Sequence, residues 1–142
     1  MAPQRSPSAR DEDASKLNLG PEFVPSKAQP LLISEVAYLL QMKIETASSN
    51  ISMAERNPVL AKSSAYAKRF DRLKTEDNTK AARTLLGELN TEKQLHPFET
   101  AQLASLMPET AEEAKVIIPS LKDKIDDDVL NDALQNLDAL AR

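Results

Sequence analysis

Two prolines eleven positions apart, Pro108 and Pro119, fence a short acid-led segment inside SLMPETAEEAKVIIPSL, Ser105 to Leu121. Pro108 cannot continue a preceding helix and biases Met107 away from the α conformation. Thr110-Ala-Glu-Glu113 has the form of a capping box, with Thr110 accepting from the amide three residues on and Glu113 reaching back. Glu112 and Glu113 also suit the positive end of a helix dipole. Ala114, Ile117, Ile118 and Leu121 follow at helical spacing, and Pro119 ends the helix at about Ile118. A helix of two turns does not persist alone. The stretch therefore predicts a tightly packed corner of a small helical domain.

The same signals recur along the chain. With only 2 glycines and no long β-branched runs, a sheet-rich fold with many tight turns is disfavoured. From Pro30 the apolar pattern is helical. Ser34 is the expected cap of a first helix, with Glu35 in its first turn and Ile33, Val36, Ala37, Leu40 and Ile44 as its stripe. TASSNIS, Thr46 to Ser52, reads as a loop. Asn57-Pro58 opens a second helix, asparagine as cap and proline at the first helical position. Its expected stripe is Val59, Ser63, Tyr66, Ala67, Phe70 and Leu73. Thr75 or Asp77 starts a third, bearing Ala82, Leu85, Leu86 and Leu89 and stopping near Gly87 to Asn90.

Pro97 opens a helix whose Phe98, Ala101, Leu103, Ala104, Leu106 and Met107 surround the axis on nearly every side, which marks the centre of a fold. Asp126, Asp127 and Asp128 cap and acidify the last helix, striped by Leu130, Ala133, Leu134, Leu137 and Leu140. The expected class is all-α, about six helices in one small bundle over residues 30–142.

Ahead of the bundle the composition changes. Residues 1–15 are polar and charged and read as an unstructured tail. Residues 16–29 read as an extended segment, because Leu17 and Leu19 alternate with Lys16 and Asn18 before the Gly20-Pro21 turn and Phe23-Val24. Two readings of this arm stay open: docking on a sheet edge or groove of another protein, or folding back on its own helices.

Chemistry is hard to find in this chain. No cysteine is present, which excludes disulfides, thiol catalysis and cysteine-based zinc sites and suits a reducing compartment. No glycine-rich phosphate loop occurs, and no serine or threonine has the context of a nucleophile. His96 is the only histidine and reads as a helix-start residue rather than a metal ligand. Asp126 to Asp128 lack the glycine turn and distal glutamate of a calcium loop. No apolar run reaches the roughly 18 residues of a membrane span, and MAPQRSPSARDEDAS lacks a signal-peptide core. The expectation is a soluble, intracellular, non-catalytic protein without cofactors or metals.

Net charge divides along the chain: 0 over residues 1–30, +3 over 31–75 and −7 over 76–142. An acidic half binds phosphate backbones poorly, so Lys62, Arg69 and Arg72 in the middle are the weak candidates for nucleic-acid contact. A solvated basic face is the commoner meaning of such residues.

KQLHPFETAQLASLMPETAEEAKVIIPSL, Lys93 to Leu121, resembles the fourth-subunit family of eukaryotic RNA polymerase II, in an ascomycete-like form. EDASKLNLGPEF, Glu12 to Phe23, and AYAKRFDRLK, Ala65 to Lys74, are similar to the same family's leading segment and central helix. The connector from Gly87 to Lys93 looks a few residues longer than usual, and LDALAR lacks the aromatic-bearing tail of many members.

The resemblance implies a non-catalytic subunit in the nucleus, with a cytoplasmic pool also allowed, and an HRDC-like helical domain over about residues 76–142. It implies pairing with the seventh subunit, which carries an oligonucleotide-binding fold, to form a stalk beside the clamp and RNA exit region. That stalk supports initiation and RNA processing, and RNA is met mainly through the partner. The implied interface is Leu17, Leu19, Phe23, Leu31, Leu32, Val36, Leu106, Pro108, Ile118, Pro119 and Leu121. A polymerase III paralogue, or a freestanding HRDC-like nucleic-acid module using Lys62, Arg69 and Arg72, are the alternatives.

Overall fold

The structure, a computed structural model, describes residues 12–46 and 57–142. Its helices are α1 (Ile33–Thr46), α2 (Pro58–Phe70), α3 (Glu76–Glu92), α4 (Pro97–Leu106), α5 (Ala111–Ile117) and α6 (Asp127–Leu140). The all-α class holds, and no strand occurs among the described residues. The loop expected over 46–52 lies, beyond Thr46, outside them, as do residues 1–11 of the expected tail.

Local chemistry sets most boundaries as the sequence predicts. Asn57 Oδ1 accepts from the Leu60 amide at 3.1 Å, with Pro58 at the first helical position. Thr75 Oγ1 accepts from Asn78 at 3.2 Å. Thr110 Oγ1 accepts from Glu113 at 3.1 Å, while Glu113 Oε2 reaches one residue further back than expected, to the Glu109 amide at 2.8 Å. Met107 leaves the helix in the left-handed region at φ 45° just before Pro108. Removing the α5 cap by Thr110→Ala is expected to cost ~1 kcal/mol; a urea melt with an unmoved midpoint would refute the assignment.

Three local expectations are corrected. Helix α1 begins at Ile33, so Ser34 lies inside its first turn and donates to Asp71 Oδ1 at 2.5 Å, while Glu35 accepts from the Leu32 amide. Helix α3 does not stop near Gly87 to Asn90 but runs to Glu92, because Leu86 and Leu89 both face the core and an interior glycine costs only ~1 kcal/mol. Asp126 holds the cap position of α6 without a side-chain cap bond; Asp127 and Asp128 do acidify the first turn. His96 does start a helix as expected: it forms a capping box with Glu99 at α4, His96 Nδ1 accepting from Phe98 at 3.1 Å and Glu99 accepting from the His96 amide at 2.7 Å.

The core lies among α3, α4, α5 and α6, joined by Leu32 and Leu73 from outside them. Leu86, Leu103, Leu121, Leu130 and Leu137 are essentially inaccessible. Helix α4 is central, as its all-round apolar pattern predicts, although Leu106 at its end is exposed. Ala111 N donates to Asn131 Oδ1 at 2.7 Å, tying the two-turn α5 to α6. The hairpin of α1 and α2 stands beside this core, and Arg83 fastens it. Arg83 Nε donates to Glu35 Oε1 at 2.9 Å, and Nη2 to the Pro30 carbonyl at 3.1 Å.

The arm is not a strand. Asp13 and Asn18 exchange both backbone bonds, at 2.8 and 3.0 Å, around a 3-10 turn at Ala14–Lys16. Asp13 also accepts from the Ser15 amide at 3.0 Å, and this closure outweighs the two-residue alternation of Leu17 and Leu19. A second 3-10 turn spans Pro21–Phe23. The first turn packs against Pro119–Leu121 of the same chain, so the described arm follows the fold-back reading at that point.

Candidate interaction surface

Two helices approach closely when small side chains line the contact. Helix α1 buries Ser34 and Ala37, and α2 buries Leu60, Ser64 and Ala67. That choice decides which way everything else on α2 points. The expected stripe therefore divides: Ala67 and Leu73 are buried, while Val59 is 73% exposed, Tyr66 62% and Phe70 47%.

The first helix contributes to the same opening. Ile33 and Val36 of α1 line a groove of about 510 Å³ with Lys62, Ser63, Tyr66 and Ala67 of α2. Ser105 Oγ accepts from the Ile33 amide at 3.1 Å, which brings the end of α4, with exposed Leu106, beside the start of α1. Tyr66 and Phe70 pack ring to ring with centroids 4.8 Å apart, and the Arg69 guanidinium lies 5.7 Å from the Phe70 centroid. Such a rigid apolar strip with a cation at its edge is chemistry for contact, since exposed aromatics bury much area at little entropic cost.

Against this geometry the expected interface divides. Phe23, Leu31, Leu106 and Pro119 are exposed, Val36 is half-exposed in the groove, and Leu17 and Leu19 are partly covered. Leu32, Pro108, Ile118 and Leu121 are corrected: they are buried within the chain's own fold and offer no surface without opening it. Val59, Tyr66 and Phe70, which share the expected stripe with buried Ala67 and Leu73, are surface residues. The signal that identifies them is the competing line of Leu60, Ser64 and Ala67, whose small residues match the small residues of α1.

The basic residues do not gather into one site. Arg69 lies over Phe70, Lys62 lines the groove beside Tyr66, and Arg72 approaches Asp138 at 4.0 Å. Lys62 and Arg69 thus sit beside the aromatic rings of α2 rather than on a separate basic face. Among the described residues no cluster of three or more His, Asp or Glu could hold a metal ion, and no helix is long and apolar enough to cross a membrane.

The fold and this surface define a class: a helical protein with a closed core beside a hairpin that displays apolar side chains for contact. Its lineage is specific. The sequence model of the family described as RNA polymerase Rpb4 matches residues 30–141. The chain is 38% identical over 136 residues to the DNA-directed RNA polymerase II subunit rpb4 of Schizosaccharomyces pombe, covering 93% of each. It is 36% identical over 137 residues to DNA-directed RNA polymerase II subunit 4 of Arabidopsis thaliana, covering 93% of this chain and 95% of that one. Similarity to the Dictyostelium discoideum subunit rpb4 is 34% over 154 residues, 98% of this chain and 95% of the other. The chain belongs to the RNA polymerase Rpb4 family, whose members are accessory polymerase subunits and not enzymes.

Proposed function

We propose that this chain is a non-catalytic subunit of nuclear RNA polymerase II that pairs with the seventh subunit to form the stalk near the clamp and RNA exit region. The observation that carries the reading is the open groove between α1 and α2, with Tyr66 and Phe70 displayed on a chain whose relatives are polymerase subunits. A monomer gains nothing by leaving these rings wet. Covering apolar area is worth about 25 cal/mol per Å² before ordering costs. The arm adds Phe23 and the partly covered Leu17 and Leu19 to the same task. Over about residues 76–142 the helices act as an HRDC-like body that holds the hairpin and arm at fixed positions. Through the pair, the subunit supports initiation and RNA processing by shape and affinity, with RNA contacted chiefly by the partner.

Co-expression with the seventh subunit, followed by size-exclusion chromatography, is the direct test. A stable one-to-one complex is expected, and two separate peaks would overturn the pairing. Leu17→Asp, Leu19→Asp and Phe23→Asp together are expected to weaken co-purification while helicity by circular dichroism stays intact. Undiminished co-purification of that triple variant would remove the arm from the interface.

A further inference from the structure

The α1–α2 hairpin carries a second groove on its other side, away from Tyr66, and it differs in character. About 620 Å³ in volume, it is lined by Leu31, Ala37, Tyr38 and Leu39 together with Lys68 and Lys74. Leu31, Tyr38 and Leu39 are 48, 43 and 50% exposed. The floor is thus aliphatic with a single ring.

The charges around it are unequally engaged. Each carboxylate lining the groove is already held from within. Glu35 accepts from Arg83 Nε at 2.9 Å and from the Leu32 amide at 2.8 Å. Asp71 Oδ1 accepts from Ser34 Oγ at 2.5 Å and from the Lys74 amide at 3.0 Å. Glu76 lies 2.7 Å from Lys80, whose ammonium holds its carboxyl below the usual range. Lys68 and Lys74, by contrast, form no ion pair among the described residues. Lys68, Lys74, Lys80 and Arg83 outnumber Glu35, Asp71 and Glu76 by one around the groove, and Asp71 is held by neutral donors only, so the net charge left above the apolar floor is positive.

We propose that this groove binds an acidic peptide segment that seats aliphatic or aromatic side chains against Tyr38 and Leu39 and sets carboxylates on Lys68 and Lys74. A peptide fits better than single-stranded nucleic acid, because bases need stacking platforms and the floor supplies one ring among aliphatic side chains. Because Lys68 and Tyr66 face different sides of α2, the site stays open when the other groove is covered. The subunit would then act as an adaptor, held by one partner while receiving another.

The test is fluorescence polarisation with a fluorescein-labelled dodecapeptide in which two leucines and one phenylalanine are spaced among aspartates. The full chain is titrated alone and in complex with the seventh subunit, beside a labelled oligouridylate. Saturable, salt-sensitive peptide binding is expected, weakened roughly tenfold by Lys68→Glu with Lys74→Glu. Leu39→Ser should weaken it comparably, and Tyr66→Ser should leave it unchanged. Absence of peptide binding, indifference to the lysine and leucine substitutions, or tighter binding of the oligouridylate would each overturn the proposal. Since the chain alone is one of the titrated forms, failure here is distinguishable from failure of the subunit pairing.

Discussion

Tyr66→Ser combined with Phe70→Ser is expected to weaken binding of the seventh subunit at least a hundredfold, equivalent to about 3 kcal/mol. The size follows from the kind of residue. Few positions dominate an interface, and exposed aromatics set in a contact groove are the commonest of them. Tyr66 and Phe70 already hold each other at 4.8 Å, so little ordering entropy remains to be lost when a partner covers them. Both are surface side chains in the free chain, so the substitutions create no cavity in the core. Isothermal titration of the purified chains measures the effect, and thermal melts of the variant by circular dichroism should stay within a degree or two of the parent. Affinity within twofold of the parent, with the fold intact, would show that the partner sits elsewhere. Lys68→Glu is the matched control, since it lies in the other groove and is expected to leave this affinity unchanged.

Why pattern alone misassigns this surface is instructive. On α2 two lines of residues compete at the same 3.6-residue period. Val59, Tyr66 and Phe70 are the more hydrophobic, and hydrophobicity is what periodicity counts. Leu60, Ser64 and Ala67 win because α1 presents Ser34 and Ala37, and small residues on both sides permit close approach. Which stripe is buried is thus a property of the pair of helices and cannot be read from either helix alone.

Elsewhere the code is local and legible. Asn57, Thr75 and Thr110 each satisfy amides of their own first turn, so their roles need no knowledge of the tertiary fold. The arm fails for the opposite reason: Leu17 and Leu19 suggest a strand, yet Asp13 closes on Asn18 before any sheet partner exists. The expected interface residues Leu32, Ile118 and Leu121 fail because a resemblance says that a segment is apolar without saying which side is inward.

The largest stability effect is expected at a residue that no stripe identifies. Glu99 is 0% exposed at the start of the central helix α4, and Lys124 Nζ lies 3.0 and 3.2 Å from its two carboxylate oxygens. The Lys124 side chain is 35% exposed, so the pair is half wet on the cationic side only. Lys124→Met keeps the stem and removes the charge, leaving a buried carboxylate held only by the His96 amide at 2.7 Å among the described residues. Stranding a buried charge costs far more than an intact pair contributes, about 3 kcal/mol here. For a chain of 142 residues that lowers the melting temperature by roughly 10 °C. Adding Glu99→Gln in the same chain should recover more than half of the loss, because the amide oxygen still accepts from His96 while no charge is left inside. Thermal and urea melts of the two variants decide the matter. If Lys124→Met melts with the parent, the carboxylate is reached by water and the pair is ornamental; if the double variant is no better than the single, the loss came from the lysine stem and not from its charge.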